Sequence, residues 1–304
     1  MSHDVVVDAH LHPFSVVDPA SKDTLYLQTS PEAAMKRLLA AGSGSIFQIG
    51  PAFRSAERGS RHNPEFTMVE WYGINSTDDD QMQLTEQLVT AVHNALIDFC
   101  QAHSTQLPWK PIPKLTTPFR QTSYETAFEG LCNTSIHHLP TSEIHALCQQ
   151  NCGLELSQQT DRNDLLNLLL AECIEPNLGP VHATTATPEY LHSYPISQAA
   201  LAVASQHDPR TARRFELYIN GLELCNGYFE LTDSDELQSR TQTENQLRKS
   251  HQANELPGAP RLIAAMQQGL PTCSGVALGF ERLLMALLNE ENIDRLLPFP
   301  IEIA

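Results

Sequence analysis

The sequence lacks long apolar runs and paired cysteine motifs, which excludes several common classes of protein. No apolar run in its 304 residues could cross a bilayer, and no charged start followed by an apolar stretch indicates a signal peptide. The seven cysteines form no Cys-x-x-Cys pair, so reduced thiols are favoured over a disulfide framework. We therefore expect a cytoplasmic protein without a membrane segment.

Basic side chains are scarce, which limits the partners that overall charge can attract. Lysine and arginine together number 19 against 36 aspartates and glutamates, and the formal net charge is −17. Binding of nucleic acid rests largely on basic contacts to phosphates, and no basic run or tail is present. Nucleic acid, tRNA included, is therefore not an expected partner. A Gly-x-x-x-x-Gly-Lys loop is also missing, which excludes a P-loop enzyme.

The stretch VVVDAHLHPF, residues 5–14, suggests a metal-dependent hydrolase as one alternative. Its valines predict a buried strand, and His10 and His12 lie one residue apart, so both imidazoles could reach one metal ion. A barrel hydrolase needs further histidines and an aspartate at the ends of later strands. The other histidines follow no convincing strand, so we expect the pair to be a coincidence.

The order of predicted elements favours an antiparallel sheet flanked by helices over repeated strand–helix units. Strand pairs joined by short polar loops are typical of such a sheet, so we expect an α+β fold in one domain, residues 1–304. The predicted elements are a helix over 30–41, strands over about 45–54 and 65–72, a long helix after residues 78–80, a mostly helical insertion over about 121–192, strands over 213–223 and 228–233, a charged helix over 233–252, and a strand followed by a helix around 275–288.

The segment FRSAERGSRHNPEFTMVEWY, residues 53–72, places charged groups beside an apolar strand. Arg54 ends one strand, and a polar loop separates it from the next. Alternation along that second strand predicts Glu70 and Tyr72 on the same face as Phe66 and Met68. A carboxylate and a phenol are unusual in an apolar row, although an amphipathic strand with a partly polar face also fits the segment alone.

Two later segments add charges near strand ends. In RFELYINGLELCNGYFELTD, residues 214–233, Glu216, Glu223 and Glu230 recur at intervals of seven, and such carboxylates repel one another unless Mg²⁺ or a substrate ammonium lies between them. In GVALGFERLLM, Arg282 lies in the first turn of a predicted helix, where the dipole disfavours a cation without a partner. Together these parts favour binding of ATP and Mg²⁺ and activation of a carboxylate as an adenylate.

These segments resemble the catalytic domain of a class II aminoacyl-tRNA synthetase of the lysyl type. FRSAERGSRHNPEFTMVEWY is similar to motif 2 and GVALGFER to motif 3. The resemblance is closest to the elongation factor P–lysine ligase family, paralogues of lysyl-tRNA synthetase without an anticodon-binding domain. It covers nearly the whole chain, through HLHPF, which carries no metal in that family, TSPEAAMKRLLAAG, DRNDLLNLLL, YPISQAALA, FELYINGLELCNGYFELTD and CSGVALGFER.

The resemblance implies a nucleotide site with ATP and Mg²⁺ as cofactors. Arg54 and Arg282 are the implied catalytic residues: Arg54 would hold the α-phosphate and the reacting carboxylate, while Arg282 and Phe66 would stack on the two faces of adenine. Glu216 and Glu223 would ligate Mg²⁺. The residues implied to contact ATP are Arg54, Ser55, Ala56, His62, Asn63, Phe66, Glu223, Leu224, Gly279 and Arg282.

The resemblance also implies a pocket for lysine or (R)-β-lysine. Ala277 stands where lysyl-tRNA synthetases have glycine, and its methyl group would crowd an α-ammonium more than a β-ammonium. We therefore expect (R)-β-lysine to be preferred. The residues implied to line this pocket are Ser30, Pro31, Glu32, Glu70, Tyr72, Asn226, Tyr228, Glu230 and Ala277.

The implied activity is ATP-dependent adenylation of lysine, with (R)-β-lysine favoured, and its transfer to a lysine side chain of elongation factor P. Two alternatives stay open: tRNA lysylation by a minimal synthetase, and a synthetase-like binding protein without activity. The sequence departs from the family where Ala56 replaces a glutamate and Glu281 an aspartate. It also starts just after motif 1, the element that builds the family's homodimer, so the expectation of a homodimer is left open.

Overall fold

The computed structural model describes residues 1–103, 112–132, 134–157 and 159–304. The strands are β1 Ser15–Val17, β2 Thr24–Tyr26, β3 Ile46–Phe53, β4 Glu65–Ile74, β5 Lys114–Leu115, β6 Arg120–Ser123, β7 Val181–His182, β8 Thr185–Ala186, β9 Glu189–His192, β10 Arg214–Ile219, β11 Leu222–Phe229 and β12 Cys273–Gly279. The α-helices are α1 Glu32–Ala40, α2 Asp78–Ala102, α3 Tyr124–Cys132, α4 Thr141–Cys152, α5 Arg162–Leu169, α6 Ser234–Ser250, α7 Pro260–Gly269 and α8 Phe280–Leu288.

The chain forms two compact units, and no helix in the described ranges is long and apolar enough to span a membrane. The first unit comprises Met1–Gln81, Phe229–Met285 and Glu290–Ala304. The second unit comprises Met82–Tyr228 and Ala286–Asn289.

The first unit is built on the antiparallel strands β3, β4 and β12, with β4 in the middle. In this register Tyr72 lies opposite Ile46 on one side and Gly275 on the other. Helix α1 packs against α7, which in turn packs against α6. The predicted strands over about 45–54 and 65–72 and around 275, and the predicted helix over 30–41, are confirmed. The predicted strand over 228–233 is wrong beyond Phe229, where β11 ends, and the patterns did not predict α7. Residues directly opposite each other on paired strands share one face of the sheet, so Gly275 of β12 lies on the same face as Tyr72 of β4.

The predicted strand in VVVDAHLHPF is wrong, because this segment finds its hydrogen-bond partners outside a sheet. The backbone N–H of Val5 donates to the carbonyl of Gly258 at 2.8 Å. Arg248 of α6 donates to the carbonyls of Asp8 and Leu11, each at 2.8 Å. The segment is therefore fixed by α6 and the loop after it rather than by strand pairing, and Val5 is buried whereas Val6 and Val7 are partly exposed.

The second unit contains β9, β10 and β11 in antiparallel order, with β6 parallel to β9. Strand β10 ends at a hairpin turn, Asn220-Gly221, whose φ angles are 53° and 67°. Positive φ at both central residues is the signature of the type I′ hairpin, for which Asn-Gly is a preferred pair. The predicted strand over 213–223 is therefore two strands. The antiparallel pairing in both units confirms the predicted α+β class.

The predicted insertion over 121–192 is helical only in its first part. Helices α3, α4 and α5 enclose an apolar cluster that includes Phe128, Ile144 and Leu165. A π-helical turn, Leu170–Ile174, then extends α5. Beyond it the chain returns to β-structure, and β9 pairs along its whole length with β10. Residues 133 and 158 of the predicted insertion lie outside the described residues.

Gly227 provides a test of the packing in the second unit. It lies opposite Phe215, and a Cβ atom added at Gly227 would lie 2.3 Å from the Cζ atom of that ring. We expect Gly227→Ala to lower the free energy of unfolding by about 1–3 kcal/mol, the usual cost of overpacking. Gly130→Ala is the matched control, because nothing lies within 4 Å of the added Cβ atom in α3. Urea unfolding that shows equal stability for both variants would contradict the packing described.

Candidate active site

Arg54 leaves β3 at the start of the loop over 55–63 and is held in a defined orientation. Its backbone N–H donates to the carbonyl of Pro64 at 2.9 Å, which closes the loop. Its guanidinium lies over the ring of Phe66, with its carbon 5.1 Å from the ring centroid, and Nε donates to the carbonyl of Thr29 at 3.3 Å. The side chain is 23% exposed, so it combines fixed geometry with access to a ligand.

In the loop after Arg54, alanine occupies position 56, where the family pattern has glutamate. Ala56 is exposed and has a φ of 66°, a left-handed conformation that costs a non-glycine residue roughly 1–2 kcal/mol. The carboxylate of Glu57 lies 3.6 Å from Nη1 of Arg54. Glu57 therefore supplies a carboxylate beside Arg54 one residue later than the family pattern.

Asn63 is buried, and protein groups occupy both ends of its amide. Nδ2 donates to the carbonyl of Glu65 at 2.6 Å, and Oδ1 accepts from the backbone N–H of Ile301 at 3.1 Å. This arrangement braces the loop over 55–63 against β4. Contact between Asn63 and ATP stays a prediction, as do the ATP contacts of Ser55 and Ala56.

Arg282 and His62 form a pair of basic groups in the first unit. Nη2 of Arg282 lies 2.5 Å from Nε2 of His62. Burial lowers the pKa of His62, and the charge of Arg282 lowers it further. A neutral imidazole can then accept a hydrogen bond from the guanidinium. The helix dipole disfavours a cation in the first turn of α8, and this contact gives the guanidinium of Arg282 a hydrogen-bond partner there.

Glu281 anchors the first turn of α8 to β4. Its buried carboxylate accepts the backbone N–H of Thr67 through Oε1 at 3.1 Å and Oε2 at 2.9 Å. This contact fixes the position from which Arg282 extends. Sequence reasoning treated Glu281 as a mild departure and assigned it no role. A Cβ atom added at the neighbouring Gly279 would only touch Arg282, at 3.6 Å, so the protein's own packing does not require this glycine.

A buried cluster of charged side chains lies in the first unit, where α1 meets β4. Lys36, with its side chain 2% exposed, has Nζ 2.5 Å from Oε1 of Glu32 and 2.5 Å from Oε2 of Glu230. Glu70 is also buried and accepts hydrogen bonds from the hydroxyl of Tyr72 at 2.6 Å and of Ser30 at 2.8 Å. Each carboxylate thus has a partner, as buried charges require.

Burial dominates the protonation of this cluster. It raises the pKa of Glu70 to about 7 and that of Glu230 to about 8, although Lys36 lowers both. Tyr72 has its pKa raised, first by burial and then by the carboxylate of Glu70. The charges of Glu230 and Glu32 raise the pKa of Lys36 against the opposing effect of burial. Lys36 is therefore a charged ammonium at neutral pH.

Strand β12 supplies the uncharged wall beside these groups. Ala277 lies directly opposite Glu70, and Gly275 lies opposite Tyr72. A Cβ atom added at Gly275 would lie 2.3 Å from the Tyr72 ring and 2.6 Å from Oε1 of Glu230. Glycine is therefore required at 275, and the methyl group of Ala277 faces the same side as the carboxylate of Glu70.

In the second unit, Glu216 is surrounded by hydrogen-bond donors. Its Oε2 accepts from the hydroxyls of Tyr194 at 2.5 Å and Tyr218 at 2.6 Å, and its Oε1 accepts from Arg214 at 2.5 Å and Asn226 at 3.2 Å. A carboxylate has about four lone-pair sites, and these donors use all of them. This arrangement does not fit the implied role of Glu216 as a Mg²⁺ ligand, and the described residues contain no group of three or more metal-binding side chains.

The remaining residues implied by the resemblance lie along β11 in the second unit. Glu223 is half-buried and lies opposite Tyr218, whereas Leu224 is buried. Oδ1 of Asn226 is buried and has no hydrogen-bond partner in the described part of the chain. The ring of Tyr228 lies 6.0 Å from the guanidinium carbon of Arg214. Their contacts with ATP or lysine stay predictions.

Lys36 and Gly275 are candidate site residues that sequence reasoning missed. Lys36 follows Glu32 by one helical turn, on the buried side of α1 with Met35 and Leu39. A lysine on the apolar side of an amphipathic helix is a readable signal of a buried ion pair. Gly275 carried no comparable signal, because its need for a small side chain arises only when β4 and β12 pair.

Comparison with known proteins connects this geometry to a family. Residues 3–303 match the family model for class II tRNA synthetases (D, K and N). The whole chain aligns with 87% of the elongation factor P–(R)-β-lysine ligases of Yersinia pestis (strain Pestoides F) and Yersinia pseudotuberculosis serotype O:1b (strain IP 31758), at 38% identity to each. The chain belongs to the elongation factor P–(R)-β-lysine ligase family. This confirms the resemblance that motifs 2 and 3 predicted.

The buried carboxyls of this ligase-family site predict how its stability depends on pH. The folded-state pKa of Glu70 is raised from 4.5 to about 7, so the folded protein holds a proton that the unfolded chain has released. The free energy of unfolding should therefore fall as pH rises from 4.5 through about 7. We expect Glu70→Gln to remove up to about 3 kcal/mol of that fall, since one pKa unit corresponds to about 1.4 kcal/mol.

Urea unfolding at pH 5, 6, 7 and 8 measures this effect. Glu65→Gln, an exposed residue on the same strand, is the control and should keep the wild-type dependence. The charge of Lys36 does not change within this pH window, because its pKa is raised. The same dependence on pH in Glu70→Gln and wild type would show that Glu70 is ionised in the folded protein throughout.

Proposed function

We propose that this protein is an ATP-dependent ligase that adenylates lysine, with (R)-β-lysine preferred, and transfers it to a lysine side chain of elongation factor P. The observation that carries the proposal is the buried cluster of Glu32, Glu70 and Glu230 with Tyr72. Carboxylates and a phenol are the partners that a buried substrate ammonium needs. The curated relatives at 38% identity bear the name of this activity.

The position of Arg54 supports activation of the substrate carboxylate. Its Nε donates to the carbonyl of Thr29, and the adjacent Ser30 donates to Glu70 of the cluster. In the proposed reaction the lysine carboxylate attacks the α-phosphorus of ATP, pyrophosphate leaves, and Arg54 stabilises the charge that develops on the phosphate oxygens. No side-chain nucleophile is needed, because the substrate supplies the attacking oxygen.

The second half of the proposed reaction forms an amide. The ε-amine of the acceptor lysine attacks the carbonyl carbon of the lysyl adenylate, AMP leaves, and the amine loses a proton. Mg²⁺ would neutralise charge on the phosphates of ATP, and only Glu223 of the two implied ligands remains a candidate to hold it.

Net charge favours a protein acceptor over tRNA. A net charge of −17 provides little attraction for a polyanion, whereas a folded protein with one lysine on a loop needs only a small complementary patch. A homodimer, expected from the family, stays a prediction.

Arg54 can be tested by pyrophosphate exchange with lysine and ATP. We expect Arg54→Ala to lower the exchange rate by on the order of 100-fold, about 3 kcal/mol, which is typical of a lost transition-state donor. Arg58→Ala in the same loop is the control, because Arg58 is exposed and its ion pair with Glu302 is a surface one. A loss of less than threefold in Arg54→Ala would remove Arg54 from the proposed chemistry.

Ala277 can be tested through the choice between two substrates. We expect the wild type to activate (R)-β-lysine better than α-lysine, because the methyl group lies beside Glu70 where an α-ammonium would be crowded. Such a steric difference is worth roughly 1–3 kcal/mol, and Ala277→Gly should narrow it. The control is Ala264→Gly on the exposed side of α7, which should leave the ratio of the two kcat/KM values unchanged. A wild type that prefers α-lysine would contradict the steric argument.

The acceptor decides between the proposed ligase and its alternatives. Labelled lysine or (R)-β-lysine is incubated with ATP, tRNA and elongation factor P together, and a second reaction contains elongation factor P with its acceptor lysine replaced by arginine. We expect label only on the elongation factor P that keeps its acceptor lysine, and we expect this label to be stable to mild alkali, as an amide is. Alkali-labile label on tRNA with none on the protein would indicate a minimal synthetase, and no activation at all would indicate a binding protein.

A further inference from the structure

Lys36 lies inside the proposed substrate pocket, although neither the reaction nor the resemblance assigns it a role. Its ammonium contacts Glu32 of its own helix and Glu230 from the chain after β11, each at 2.5 Å. Its Nζ atom also lies 5.9 Å from the centroid of the Tyr72 ring. Lys36 therefore touches or faces groups from α1, β4 and the segment after β11. A lysine whose only task was to cover apolar surface would keep its ammonium in water.

The charges of the cluster do not balance within the protein. Glu32, Glu70 and Glu230 can together carry three negative charges against the single positive charge of Lys36. When all three are ionised, the cluster has a net charge of −2. Lysine and β-lysine each carry two ammonium groups, so either one supplies the two missing positive charges.

We propose that Lys36 is a positioning residue that holds Glu32 and Glu230 in place, so that the pocket accepts a diammonium amino acid. This inference rests on the proposed function and deepens it. Without Lys36 the buried carboxyls of Glu70 and Glu230 would lose the charge that lowers their pKa values, and buried carboxyls without a nearby cation keep protons rather than ionise. A protonated carboxyl attracts an ammonium far less than a carboxylate does.

The inference makes lysine binding depend on pH in a specific way. Lys36 lowers the pKa of both Glu70 and Glu230, which burial raises. Removing its charge should therefore raise both pKa values and weaken lysine binding at neutral pH, and alkaline pH should restore binding. The titratable or charged groups that surround Lys36 are Glu32 of α1, Glu70 and Tyr72 of β4, Glu230 after β11, and Cys273 of β12.

The experiment measures pyrophosphate exchange against lysine concentration from pH 6 to pH 9.5 for the wild type and Lys36→Met. We expect the KM for lysine at pH 7 to rise at least tenfold in the variant, while kcat at saturating lysine and the KM for ATP change less than threefold. The acidic limb of kcat/KM for lysine should move up by at least one pH unit, so that the defect shrinks toward pH 9.5.

Two matched variants separate a positioning role from a merely structural one. Leu39→Ala lies on the same buried side of α1 and should lower stability without moving the acidic limb. Lys36→Arg keeps the charge and should hold the acidic limb within half a pH unit of the wild type. If Lys36→Met does not fold, Lys36→Gln replaces it, because an amide can still donate to both carboxylates without carrying charge.

Each outcome has one meaning. A wild type that shows no exchange with lysine or (R)-β-lysine at any pH refutes the proposed function. If the wild type is active, but the acidic limb of Lys36→Met (or of Lys36→Gln in its place) equals that of the wild type or moves no further than that of Leu39→Ala, the role of Lys36 is refuted and the proposed function still stands. A rise in the KM for lysine that alkaline pH relieves in Lys36→Met or Lys36→Gln, but not in Leu39→Ala, supports the inference.

Discussion

The ion pairs of Lys36 with Glu32 and Glu230 are the interaction on which the candidate pocket depends. Taking carboxylates out of water costs several kcal/mol each unless a cation or a set of hydrogen bonds replaces the solvent. Here one ammonium serves two carboxylates, while Tyr72 and Ser30 serve the third, Glu70. Because removing one partner from such a group leaves a buried charge alone, these residues depend on one another.

Ordinary elements of secondary structure create this arrangement. Helical spacing places Lys36 one turn after Glu32, and strand alternation places Glu70 and Tyr72 on one face of β4. The pairing of β12 with β4 then sets Gly275 and Ala277 opposite those two residues. On β4, the backbone N–H of Thr67 also donates to the carboxylate of Glu281 at the start of α8. Strand β4 therefore orients both the carboxylate cluster and Arg282.

Local patterns predicted most elements of the first unit, because their signals act over a few residues. Alternation predicted β4, and the Ser30-Pro31 start with the glycine after Ala41 predicted α1. The strand prediction for VVVDAHLHPF failed because the backbone of this segment is hydrogen-bonded to Gly258 and Arg248 outside a sheet, and a run of valines does not by itself distinguish such a segment from a strand. The Asn-Gly turn at 220–221 was readable but was passed over inside a longer apolar run, so one predicted strand became two.

The candidate site was predicted less evenly than the fold. Motif resemblance named Arg54, Glu70, Tyr72, Glu230 and Arg282, and the structure places these residues in the first unit with defined partners. The motif resemblance could not name Gly275, because the need for glycine there arises only when β4 and β12, which are distant in the sequence, pair with each other. The saturation of Glu216 by four donors is likewise a tertiary fact, since two of those donors, Tyr194 and Asn226, lie outside β10.

The most direct test of this account is the protonation state of Lys36 itself. Lysine side chains labelled with ¹³C at Cε can be followed by NMR in the folded protein between pH 6 and pH 11, with Lys36→Met used to assign the signal. The account predicts that Lys36 stays charged past the ordinary lysine pKa of 10.5, because Glu230 and Glu32 raise its pKa more than burial lowers it. A signal that titrates well below 10.5 would show a desolvated, unpaired amine and would contradict the account of the pocket.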